Sequence, residues 1–247
     1  MNRQRMQKLT RRWHRFLGPL IGVQLLLWTL GGIYFSWFDL DNVHGDYERA
    51  AQAVPDLREL PVAVSIKSLL ESSKLARIEE VRLGTFLGRP VVRLYEDGDR
   101  VEMYDATSGE MLSPIGEAEA RAVAAADFAP PGAIAAVQMV AEKEGEYKNA
   151  VPAYRIRFDN WKRTHLYVHA NTGLVTARRN AIWRGFDFLW MLHILDFRER
   201  ENFNNWLLRI LSLLSLITIA SGYVLWLVTM PRLRRWGGAG GDRDLRA

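Results

Sequence analysis

The chain has 247 residues, a formal net charge of +5 and no cysteine. The last fact removes a disulfide scaffold, a thiol nucleophile, a cysteine zinc site and an iron–sulfur cluster. Six basic side chains (Arg3, Arg5, Lys8, Arg11, Arg12, Arg15) and no acid fall in residues 1–15, and residues 230–247 carry a net +3, leaving −4 for the stretch between. The basic ends border apolar segments, a pattern that points to a membrane surface and not to nucleic acid.

In chain order, residues 1–15 read as a cytoplasmic basic segment. Phe16 to Phe38 is a run of 23 residues without a charge. As a helix it is about 34 Å long, enough for a ~30 Å hydrocarbon core. It is too long for a signal-peptide core and lacks a small-x-small exit, so it reads as a retained anchor over residues 16–38. A second span is expected over residues 206–230, ended by Pro231, Arg232, Arg234 and Arg235, with residues 231–247 as a cytoplasmic tail. Trp37, Trp206, Trp226 and Trp236 fall near the expected interfaces, as an aromatic belt requires. Both termini are then cytoplasmic, and residues 39–182 form a domain on the other side, the periplasm of a Gram-negative cell.

That domain contains an internal repeat. Gly88 to Tyr95 resembles Ala150 to Arg157, and Val101 to Gly109 resembles Leu166 to Gly173. Alternation of Val91, Arg93 and Tyr95 against Val92 and Leu94, and of Val101, Met103 and Asp105 against Glu102 and Tyr104, predicts strands. Glu96 to Asp99 predicts their turn. A helical stretch precedes each hairpin, Ser65–Leu75 and the alanine-rich Glu117–Phe128. The expected fold is α+β: two transmembrane helices flanking two units, about 58–116 and 117–180, each a helix followed by about three antiparallel strands. Val92, Leu94, Val101 and Met103, with Ile156, Leu166 and Val168, are the expected core, one parity of each set pointing inward. Residues 183–197, too short to cross, predict a helix lying on or dipping into the outer leaflet, and residues 198–205 a polar connector.

These features resemble a known family. The stretch Arg12 to Gly18, with His14 and Arg15, is similar to the opening of PepSY-associated transmembrane helix proteins, which tend to read R-x-x-H-R-x-x-G. The paired hairpins ending in D-x-x-T/S-G-E resemble PepSY repeats, and Leu192–His193 resembles a Leu-His signature before the last span. The chain departs from the pattern at His169, where an aspartate is usual, at Leu174, where an acid is usual, and in having two spans where longer relatives have about four. The resemblance implies one of two roles. Membrane members are linked to iron and siderophore uptake, some as b-type haem proteins that carry electrons to periplasmic ferric complexes; soluble PepSY domains are associated with restraint of peptidases. A homodimer or a membrane-complex partner, and a cytoplasmic reductase as electron donor, are the partners implied besides the lipid bilayer.

A b-haem needs axial histidines within a helical bundle. His14 is a candidate ligand, with Arg11, Arg12 and Arg15 as partners for propionates; it also suits a polar interface residue. His193 stands between Leu192 and Ile194 in the apolar segment and is the second candidate, or an interfacial histidine bonded to a carbonyl. One chain places the two too far apart to share a haem, so two haems in a homodimer are expected. His44, among Asp39, Asp41 and Asp46, suits a cation site, a haem partner for His193, or a solvated connector. His165 and His169 lie about 13 Å apart on one strand and read as sheet residues. There is no G-x-S-x-G, no H-E-x-x-H and no P-loop, so an enzymatic role reaches at most an electron-transfer subunit.

Overall fold

A computed structural model describes residues 3–51, 55–96 and 100–229. The expected turn at residues 97–99, the end of the second span at Met230 and the tail at 231–247 lie outside the described residues. The chain divides into two units: Met1–Gly32 with Leu189–Ala247, and Ile33–Phe188.

Helix α1 runs Arg3–Trp37 and α6 runs Trp206–Thr229. Within them, Thr10–Trp37 and Trp206–Leu227 are long and apolar enough to cross a membrane, and only 17% and 11% of their apolar windows are buried. A core helix of a soluble protein would be mostly covered; here Leu20, Val23, Leu26, Leu213 and Leu216 stand exposed, as lipid contact requires. Pro19 falls inside α1. Sequence boundaries at Phe16 and Phe38 follow charge, whereas the helix itself continues through the basic N-terminal residues, which favour helix as strongly as apolar ones.

Between them come α2 (Leu40–His44), a 3₁₀ turn (Asp46–Glu48) and α3 (Ile66–Ser72), then strands β1 (Glu80–Phe86), β2 (Arg89–Glu96) and β3 (Arg100–Asp105), then α4 (Glu117–Asp127). Strands β4 (Ala133–Val140), β5 (Ala153–Asp159), β6 (His165–His169) and β7 (Val175–Arg179) and helix α5 (Ala181–Ile194) follow. β1-β2-β3 form one antiparallel sheet and β4-β5-β6-β7 another.

The repeat is matched bond for bond. Ala106 N–H donates to Pro90 O and Ala170 N–H to Pro152 O, each at 2.9 Å. Gly109 N–H donates to Asp105 O and Gly173 N–H to His169 O, with both glycines at positive φ. The two departures from the family pattern are accommodated locally. Asp105 Oδ1 accepts the N–H groups of Thr107 and Ser108 in the first turn. In the second, His169 is buried and its Nδ1 lies 3.1 Å from Thr172 Oγ1, which also accepts from Leu174 N–H.

One core is shared by both repeats. Phe86, Val91 and Met103 of the first sheet pack with Ile115, with Ala120 and Ala124 of α4, and with Ile156, Phe158, Leu166 and Val168 of the second sheet. Met103, Ile156, Leu166 and Val168 meet the sequence expectation. Val92 and Leu94 do not join this core: with Tyr104 they face the other side of the sheet, beneath Leu69 of α3. β2 is buried on both faces from Pro90 to Glu96, and a strand covered on both sides shows no polar parity from which an inward face could be chosen.

Candidate functional site

Two polar constellations stand out, one in each unit. In the membrane unit His14 faces α6. Ser221 Oγ donates to Thr218 O at 2.7 Å, and its remaining capacity is as acceptor, so the 3.0 Å contact with His14 is donated by Nδ1–H. In neutral imidazole that leaves a lone pair on Nε2. A Cβ on Gly222 would stand 3.4 Å from His14 Cε1, so the glycine gives the ring room. His14 lies four positions into the candidate span Thr10–Trp37, close to the border of the first span where the sequence placed it.

His14, Ile21 and Trp28 recur every seven residues on one face of α1, a coiled-coil seam spacing. Ile21 is fully buried, and Gln24 nearly so. Gln24 Nε2 donates to Leu192 O at 3.1 Å and Trp28 Nε1 to His193 O at 2.8 Å. These are the last carbonyls of α5, which have no partner within their own helix. The His193 ring lies 5.9 Å from the Trp28 ring and is stacked on Trp190 at 6.1 Å. After α5, Asp196 gathers the N–H groups of Arg198, Glu199, Glu201 and Asn202 into a compact turn.

In the unit Ile33–Phe188 the centre is Glu146. It accepts from Arg184 Nε at 2.6 Å and pairs with His165 Nδ1 at 3.0 Å. Burial pushes its carboxyl up, but the hydrogen bonds and charges of His165 and Arg184 outweigh this and hold it at about 2. A second network is deeper. Glu48 is buried, accepts from Thr164 Oγ1 at 2.8 Å and pairs with Lys162 at 3.1 Å. Arg178 and Asp127 form a further buried ion pair.

Residues 114–179 match the family model described as peptidase propeptide and YPEB domain, PepSY. Residues 114–179 form a PepSY domain. The match covers the second repeat, α4 through β7, and the hydrogen-bond equivalences above extend the same pattern to the first. No curated protein and no solved structure matches the chain.

In this PepSY protein the candidate residues fall apart into separate places. His14 and His193 both belong to the membrane unit, but His193 O is level with Trp28, fourteen positions along α1 from His14, or about 21 Å. One haem cannot be held by both within a chain. Arg11, Arg12 and Arg15 are exposed on the turns around His14. His44 is exposed at the end of α2, and among the described residues no three His, Cys, Asp or Glu side chains gather as a metal site. His165 and His169 point to the same face of β6 and have different partners, Glu146 and Thr172. Sequence reasoning missed Ser221, Gln24, Glu146 and Arg184. Only Gln24 carried a signal, as the one amide side chain in an uncharged apolar run.

For haem b the donor set at His14 fits: one imidazole with its Nδ1–H engaged and its Nε2 lone pair available, a glycine where a side chain would crowd it, and exposed arginines nearby. The ring of His193 is stacked on Trp190 and tilted against Trp28.

Proposed function

We propose that this PepSY protein is an inner-membrane electron-transfer subunit that holds haem b through His14, with His193 as the ligand of a second haem. The observation that supports it is the Thr218–Ser221–His14 relay, which fixes the imidazole tautomer used by metal-ligating histidines. An ionisable side chain kept inside a candidate span is retained for function more often than for stability. Bound haem b supplies one-electron chemistry. Arg11, Arg12 and Arg15 would pair with its propionates.

A second axial ligand for each haem comes, in this reading, from a second copy of the chain. Gly18 and Gly22 leave open space where side chains would stand, which suits close helix approach by another chain. The charge distribution supports a topology with both termini in the cytoplasm and the PepSY domain in the periplasm. A cytoplasmic reductase is then the donor, and a periplasmic ferric complex or ferric siderophore the acceptor. The test is haem content of the purified dimer by pyridine haemochrome. His14→Ala and His193→Ala should each remove about half, and the double variant nearly all, because symmetry copies each substitution into both chains. Full haem retention in the double variant would end the proposal.

A second reading has its own support. A groove of about 810 Å³ is lined by Phe86, Leu87, Val123, Asp127 and Leu174, and it suits an extended segment of a periplasmic peptidase or of an accessory membrane subunit. On this reading Leu174→Glu abolishes cross-linking to that partner and leaves haem content unchanged.

A further inference from the structure

The hairpin between β5 and β6 has no role in the haem reading, yet it is built firmly and placed deliberately. Asn160 Oδ1 accepts from Thr164 N–H at 2.8 Å and its amide donates to Thr164 Oγ1, closing the tip. The tip is tied to α5: Ala181 N–H donates to Lys162 O at 2.8 Å and Arg184 Nη1 to Arg163 O at 2.9 Å. The same first turns of α5 are tied to the C-terminal end of α1, where Tyr34 Oη donates to Ile182 O at 3.0 Å and the Phe35 and Phe186 rings lie 4.6 Å apart. The hairpin tip therefore sits beside the end of a candidate membrane span, at the level of Tyr34 and Phe35.

What the tip displays suits that level. Trp161 is 80% exposed, with Lys162 Nζ 5.4 Å above its ring. Burial would be the favoured fate of an indole in a soluble domain; an exposed indole beside cations is the composition of a membrane interface. Next to it opens a cleft of about 540 Å³, lined by Arg157, Asp159, Asn160, Arg163, His165 and Arg184 among others. Three guanidinium groups face one carboxylate there. Glu146 engages Arg184 and His165 from the side, and Lys162 is taken by Glu48. Arg157 and Arg163 have no carboxylate partner among the described residues, so the cleft holds unspent positive charge in a fork geometry matched to phosphate oxygens.

We propose that this cleft binds the phosphate of anionic phospholipid headgroups in the leaflet reached by the C-terminal end of α1, with Trp161 seated among the headgroups beside it. The site fixes the height of the PepSY domain over the bilayer. It is independent of haem binding and of which side of the membrane the domain occupies.

The test uses the full chain purified in a neutral detergent, with three probes: short-chain phosphatidylglycerol, short-chain phosphatidylcholine and inorganic phosphate. Phosphatidylglycerol should raise the melting temperature saturably. Phosphatidylcholine and inorganic phosphate at the same concentrations should not. Arg157→Gln with Arg163→Gln should weaken phosphatidylglycerol binding about 25-fold, each basic side chain at a membrane surface contributing about fivefold, and the double lysine variant should restore most of it. Vesicles with phosphatidylglycerol brominated near the headgroup should quench a fluorescence component that Trp161→Phe lacks. This last measurement is made on the unaltered site and does not depend on the arginine variants folding. Unchanged lipid binding in the glutamine variant, a saturable shift with phosphate equal to that with lipid, or quenching that persists in full in Trp161→Phe would each overturn the assignment.

Discussion

Glu146 shows how a single carboxylate couples the PepSY sheet to the base of α5. Its carboxyl is held at about 2 in the fold, against about 4.3 in an unfolded chain. A depressed carboxylate contributes stability that is fully present above the unfolded value and is lost as pH falls through the folded one. Lowering pH from about 5 toward 2 should therefore cost the domain about 2 kcal/mol through this group, and Glu146→Gln should flatten that part of the stability–pH curve. Chemical denaturation across pH 2–6 measures it; an unchanged slope in the variant would mean that the pairing carries no stability. Glycine gives a sharper contrast at the same scale. Gly173 sits at φ +64 with Phe86 2.5 Å from where a Cβ would stand, whereas Gly88, at φ +80, has nothing within 4 Å. Gly173→Ala should cost about 3 kcal/mol and Gly88→Ala about 1, read as a difference in midpoint between the two variants.

At the scale of elements, the sequence carried the two spans, the helix-plus-hairpin repeat and α4, because each is a strong local pattern: an uncharged run, a period of two, an alanine-rich stretch. It did not carry β4 as a separate strand, since Ala133, Ala135 and Ala136 give little contrast, nor the inward face of β2, where both sides are covered. The site was legible only as residue types. His14 and His193 were visible as histidines in apolar surroundings, but Ser221 is an ordinary serine until the antiparallel pairing of α1 with α6 brings it, 207 residues away, to the imidazole. The same pairing logic makes a prediction for α5. Gln24 and Trp28 satisfy its terminal carbonyls inside a candidate span, where an unsatisfied carbonyl costs several kcal/mol. Gln24→Leu with Trp28→Phe should lower the detergent-state melting temperature and expose the Arg198–Asn205 connector to protease; a variant as resistant as the parent would show that other groups carry those carbonyls.

At the scale of the molecule, two apolar helices hold a domain whose PepSY repeat gives one shared core. The charge asymmetry predicts which side that domain occupies. A periplasm-active reporter fused after residue 120 should give signal, and one fused after Ala247 should not; the reverse would place the PepSY domain in the cytoplasm. The decisive measurement for haem at the His14 relay is the visible spectrum of the full chain, purified in detergent from haem-replete cells, before and after dithionite. Haem held through His14 should give a Soret band that sharpens and shifts on reduction, with the α band of a histidine-ligated b-type haem. A colourless protein would contradict it and leave the PepSY groove as the functional surface.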